Sequence, residues 1–210
     1  VTADTSGATL PRTSPLQGWS ERFAALPDSV QVVPEPFVAM ADLRLAAEGP
    51  AAGAVAAHLG VALPSTPGTW VQGDTTTVIW LGPDEWLVTS PFTTPEQLDA
   101  GLRAAVGHHG AVIDVSAQRT TLSLRGEHVR DVLATGCSLD LHPRVFPAGS
   151  AAQTTLGQAG VVLLALDDSG FHYQLLVRSS FACYLATWLL DAAVEYGPES
   201  ACSTDPGRGA

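Results

Sequence analysis

Histidine is the first residue type to search for chemistry, and the chain has six. His108-His109 is the one adjacent pair. Neighbouring positions on a helix point about 100° apart, so such a pair does not close on one metal, and no H-E-x-x-H pattern supports it. The pair reads as a polar complement to the C-terminal end of a helix. His58, His128, His142 and His172 are isolated and read as surface or satisfied-core residues. Gly136-Cys137-Ser138-Leu139-Asp140 is a near miss to G-x-S-x-G. Its closing glycine is missing, and it follows a helix where a nucleophile elbow must follow a strand. Cys137 near His142 has the residue types of a thiol nucleophile, yet a small thiol after a helix reads as an apolar packing residue. Gly157 and Gly160 suit a hairpin better than a phosphate cradle. Asp84-Glu85 and Asp167-Asp168 fall in turn contexts. No residue is therefore assigned a catalytic, cofactor-binding or metal-ligating role.

The cations are more informative. All ten Lys+Arg residues are arginine, which excludes Schiff-base, pyridoxal-phosphate and P-loop lysine chemistry. Arg119, Arg125, Arg130 and Arg144 fall within one short stretch. A guanidinium there can grip a carboxylate of a ligand or partner, or be ordinary surface. Of these, Arg119 and Arg144 are taken as partner-interface candidates.

The elements that must position these groups alternate along the chain. Strands are expected at 37–45, 76–81, 85–90, 111–115, 120–125, 151–156, 161–166 and 173–177. Helices are expected at 51–59, 94–106, 127–135 and 180–196. Thr94, Pro95 and Gln97 make a capping box, Gly136 stops the third helix, and Ser179 or Ser180 caps the fourth. The fourth should bury Phe181, Leu185, Trp188 and Leu189. Residues 60–74 read as a loop. Leu16, Trp19, Phe23 and Leu26 form one stripe of a short amphipathic helix. It packs on the chain's own sheet or on a partner, with Trp19 and Phe23 as the aromatic anchors of the second case. Leu87–Phe92 and Leu176–Phe181 match at four of six positions. The chain thus reads as a single α+β domain, 1–210, of two ferredoxin-like halves, about 30–116 and 117–197. Each half has an antiparallel sheet and packed helices, and a flexible arm 1–15 and tail 198–210 flank them.

Composition bounds the partners. The 210 residues carry 21 acids against 10 bases, a net charge of −11, which disfavours nucleic acid and anionic membrane as partners. The mean hydropathy is nevertheless +0.18, suggesting apolar surface for docking on a larger protein. Three widely spaced cysteines fit a reducing compartment. The opening VTADTSGATLPRTSP lacks a signal-peptide pattern, so a cytoplasmic chain is expected. Its Ala-rich, Lys-free composition suggests a bacterial source.

From Leu81 to Tyr196 the chain resembles a known family. LGPDEWLVTSP, then DVSAQRT…GCSLDLHPRVFP, then LLVRSSFACYLATWLLDAA, together with Ser14-Pro15-Leu16, are similar to the gamma subunit of heterotetrameric sarcosine oxidase. More distantly, the same block resembles the folate-binding fold of glycine-cleavage T-protein. The resemblance implies a T-protein-like fold and a non-catalytic structural subunit. Its partners would be alpha, beta and delta chains, with alpha as the direct contact. The complex would demethylate sarcosine to glycine, yielding hydrogen peroxide and formaldehyde or methylenetetrahydrofolate. The resemblance also implies that FAD, FMN, NAD and tetrahydrofolate sit outside this chain. A folate-binding or aminomethyltransferase-like module is the alternative.

Overall fold

A computed structural model describes residues 12–197. Most of the expected arm and all of the expected tail lie outside these residues. Two five-stranded antiparallel sheets stack face to face. The first contains β2 (Ala39–Leu45), β3 (Trp70–Gln72), β4 (Thr77–Gly82), β5 (Glu85–Ser90) and β6 (Gly110–Asp114), in the order β3-β4-β5-β2-β6. The second contains β1 (Gln31–Glu35), β7 (Arg119–Arg125), β8 (Ala151–Leu156), β9 (Ala159–Ala165) and β10 (His172–Arg178), in the order β1-β7-β10-β9-β8. Helices α2 (Pro50–Leu59) and α3 (Pro95–Val106) cover the outer face of the first sheet. Helices α1 (Ser20–Ala24), α4 (Val129–Ala134) and α5 (Ala182–Ala192) cover that of the second. Four strands of each sheet, β4-β5-β2-β6 and β9-β10-β7-β1, have the ferredoxin-like order with their two crossover helices, and β3 and β8 each extend one edge.

The alternation of the strands explains the layering. In β7, Leu122 and Leu124 point to the helices while Thr121 and Ser123 point to the other sheet. Val38, Met40, Ile79, Leu87, Val162, Leu164 and Leu176 form the dry part of the layer between the sheets. Trp70 crosses that layer and donates from Nε1 to the Ala165 carbonyl at 3.0 Å.

The structure departs from the expectations at several places. Strand β1 is absent from the expected strands; Pro34 interrupts its pattern. It is an edge strand, where a missing N–H costs no ladder bond. It pairs with β7, so the second sheet is completed by a strand from before the expected half boundary. Strand β3 lies inside the expected loop 60–74. The strand expected from residue 37 begins at Ala39, because Phe37 adopts a left-handed φ of 63° in a turn. The last helix is not continuous over 180–196: 3-10 turns at Ser179–Phe181 and Val194–Tyr196 flank α5. No side chain caps it; the Ser179 hydroxyl donates to the Ala117 carbonyl at 2.9 Å instead. Its buried face is Ala182, Leu185, Ala186, Leu189 and Ala193. Phe181 is 42% exposed and Trp188 is half-buried. Three alanines bring the helix close to the sheet, which turns the large rings to its flank. There the Trp188 ring lies over Gly136, where a side chain would collide with it, and beside Gly157, where a side chain would meet the Tyr184 hydroxyl first.

Candidate functional site

The groups singled out for chemistry are mostly tied into local structure. Asp167 accepts from the N–H and hydroxyl of Ser169 at 3.1 and 2.7 Å, and Asp168 accepts from the Ala148 N–H at 2.9 Å. Glu85 pairs with Arg44 at 2.8 Å. Cys137 Sγ faces Thr154 Oγ1 at 3.9 Å, while His142 Nδ1 accepts from the Arg144 N–H, so the thiol and imidazole do not form a dyad. His108 and His109 are exposed just beyond α3. Among the described residues, no three His, Cys, Asp or Glu gather at metal-binding distances.

The four interface candidates separate. Phe23 is 3% exposed and belongs to the chain's own core, with Leu16. As an exposed anchor it is corrected: the stripe of α1 turns this ring inward onto the second sheet. Trp19 remains half-buried, its ring 6.2 Å from that of Phe23, with the Arg22 guanidinium 4.4 Å above it. Arg144 is exposed in the loop between α4 and β8, away from any shared ion pair or cavity with Arg119.

Arg119 has the most distinctive surroundings. It opens β7, on the face that looks toward the first sheet. Directly across the ladder lies Arg178, the last residue of β10. Extending the β10–β9 register by one residue brings Arg178 beside Gly160, and Gly160 pairs with Thr155 on β8. One transverse row therefore reads Arg119, Arg178, Gly160, Thr155. It floors an open cavity of about 490 Å³ on the second sheet, which Gln153 also lines; Arg178, Gly160 and Thr155 are exposed there. A Cβ built on Gly160 meets nothing within 4 Å, so the floor is open there. The Nε of Arg119 is buried and has no hydrogen-bond partner among the described residues. Burial and, after it, the charge of Arg178 push the Arg119 guanidinium below its ordinary pKa, against the opposing pull of Asp42 and Glu85. Those two carboxylates lie on the first sheet around Arg44, whose guanidinium is 2.8 Å from Glu85 and 3.7 Å from Asp42.

On its other side Arg119 lines a smaller cavity of about 220 Å³ with Phe37 and Arg12, whose guanidinium sits 4.8 Å over the Phe37 ring. Both cavities carry guanidinium, hydroxyl and amide groups and no carboxylate. That donor set does not fit a pterin, whose amino-pyrimidinone edge calls for a carboxylate acceptor. Sequence reasoning found Arg119 but missed Arg178, Gly160 and Thr155. Only strand register unites them, although the internal repeat did align Arg178 with Thr89.

The strand order, the stacked sheets and the arginine-lined layer define an α+β protein of two ferredoxin-like halves. A glycine cleavage system aminomethyltransferase T from Bartonella henselae has the same fold (TM-score 0.57, 15% identity, 86% of this chain and 50% of that one). At that identity the likeness concerns fold alone. The chain belongs to the sarcosine oxidase gamma subunit family, whose model matches residues 44–195. It is 35% identical to the sarcosine oxidase subunit gamma of Corynebacterium sp. strain P-1, over 90% of this chain and 93% of that one. It is 40% identical to that of strain U-96, over 68% and 69%. A chain of the heterotetrameric sarcosine oxidase from Corynebacterium sp. U-96, solved with pyrrole 2-carboxylate, superposes with a TM-score of 0.81 at 32% identity. The match covers 89% of this chain and 97% of that one.

Proposed function

We propose that this chain is the non-catalytic structural subunit of a bacterial, cytoplasmic heterotetrameric sarcosine oxidase. It assembles with alpha, beta and delta subunits and contacts alpha directly. The complex oxidatively demethylates sarcosine to glycine, with hydrogen peroxide and formaldehyde or methylenetetrahydrofolate as the other products. FAD, FMN, NAD and the tetrahydrofolate site belong to the partner chains in this reading. The observation that carries it is the match over nearly the full length of a chain from a heterotetrameric sarcosine oxidase. The local bonding of the described residues supports it: Asp140 and Asp167 serve turns, and His172 bonds across a strand pair. Chain 1–210 is read as one domain of two duplicated halves. Trp19, Arg119 and Arg144 stay as docking candidates.

Co-expression of the tagged chain with the three other subunits tests this. The expected result is recovery of all four in equal amounts, with flavin absorbance in the complex and none in the purified chain. Recovery of the tagged chain alone overturns the docking role. Tetrahydrofolate binding by the chain alone would favour the aminomethyltransferase-like alternative.

A further inference from the structure

We infer that the row Arg119, Arg178, Gly160 and Thr155 is a binding site for a single carboxylate group. Like charges placed directly opposite each other on a ladder destabilise a sheet. The Arg119–Arg178 pair is such a case, and Arg119 additionally keeps a buried Nε–H without a partner. A buried donor left unsatisfied is costly, more so when it is charged. An anion in the cavity relieves the opposition of charge: it lies between two guanidiniums, whose flat, forked donor sets match a carboxylate.

Arg119 and Arg178 are the charged side chains that line the cavity, while Asp42 and Glu85 are engaged with Arg44 on the first sheet. The planar pair of oxygens of a carboxylate fits between two guanidiniums. Space is provided on purpose along the row: Gly160 is the one position without a side chain, and the room above it is open. Thr155 closes the far end with a hydroxyl. The carboxylate is either that of a small free acid or that of an aspartate or glutamate side chain presented by another subunit. Both are gripped by the same groups, and the site stands independently of the docking proposal.

The test uses the full chain with propionate and N-acetylglutamate α-amide as probes, against phosphate and chloride at equal ionic strength. The readout is the side-chain Nε–H resonances of Arg119 and Arg178. Both carboxylate probes are expected to shift them saturably, phosphate less so, and chloride not at all. Arg178→Gln and Gly160→Val should each weaken binding about tenfold or more. Gly160→Val places its side chain in open space, so its melting temperature should stay close to that of the parent. If it unfolds, Arg178→Gln carries the comparison. Assembly separates the two sources. Loss of co-purification with the other subunits in Gly160→Val, at a preserved melting temperature, assigns the carboxylate to a partner side chain. Intact assembly with lost probe binding assigns it to a free acid. No carboxylate-specific shift in the parent, together with unimpaired assembly of both variants, overturns the site.

Discussion

The two sheets share a strand order and part company at one equivalent row. In the first sheet Met40 on β2 pairs with Thr89 on β5, and both are buried. In the second, Arg119 on β7 pairs with Arg178 on β10 over an open cavity. The internal repeat aligns Thr89 with Arg178. One half therefore uses the position for dry packing, and the other holds two cations there. A scaffold whose folding requires only one of these solutions leaves the other free for recognition. The closing strands differ too. The first sheet takes β6 from directly after α3, whereas the second takes β1 from the N-terminal side of the chain. The second half is thus completed only when residues far apart in sequence meet.

The largest expected difference between the halves concerns their tryptophans. Trp86 in the first sheet is 1% exposed and donates from Nε1 to the Pro64 carbonyl at 2.8 Å. Trp86→Ala should cost about 3–5 kcal/mol in urea melts, as large buried aromatics do. Trp188 on α5 is half-buried, so Trp188→Ala should cost about 2 kcal/mol, below that range. Equal losses would show that the two halves pack their rings alike.

Helix capping gives the next contrast. In α3 the Gln97 N–H donates to Thr94 Oγ1 at 3.3 Å and the Thr94 N–H donates to Gln97 Oε1 at 3.0 Å. Thr94→Ala should cost about 1 kcal/mol. The same change at Ser180, which makes no capping bond to α5, should fall within about 0.5 kcal/mol of the parent, as surface substitutions do.

The smallest effect is a pH slope carried by the second sheet. Arg125 Nε–H donates to His172 Nε2 at 3.0 Å, and Ser123 Oγ lies 3.3 Å from the same atom, so the imidazole is held neutral. Burial, and then the Arg125 charge, push His172 below its ordinary value of 6.5, against the pull of Asp167. The unfolded chain takes up a proton before the folded one does. Stability should therefore be full above about pH 6.5 and decline as the pH falls from there toward the depressed folded value. His172→Gln should flatten that part of the curve. An unchanged slope would assign it to other groups.

Much of this was legible in the sequence. The capping box at Thr94 and the hairpin strands 85–90 and 151–156 follow from local rules, and the structure has them at those residues. Strand β1 escaped because Pro34 is a breaker everywhere except at an edge, and edge position is a property of the whole sheet. The face of α5 escaped because alanines, which look neutral in a pattern, win the close contact that Phe181 and Trp188 cannot fit. The arginine row escaped for a similar reason. Arg119 and Arg178 are far apart in sequence and meet only through register.

In the proposed function this chain stabilises an assembly rather than performing its chemistry. Alpha, beta and delta subunits expressed with and without it, then sized by light scattering and assayed for sarcosine oxidation after heating, test that directly. Omitting the chain should yield a smaller or dissociating complex that loses activity faster on heating. A complex of the other three subunits with unchanged stability, activity and heat resistance would contradict it.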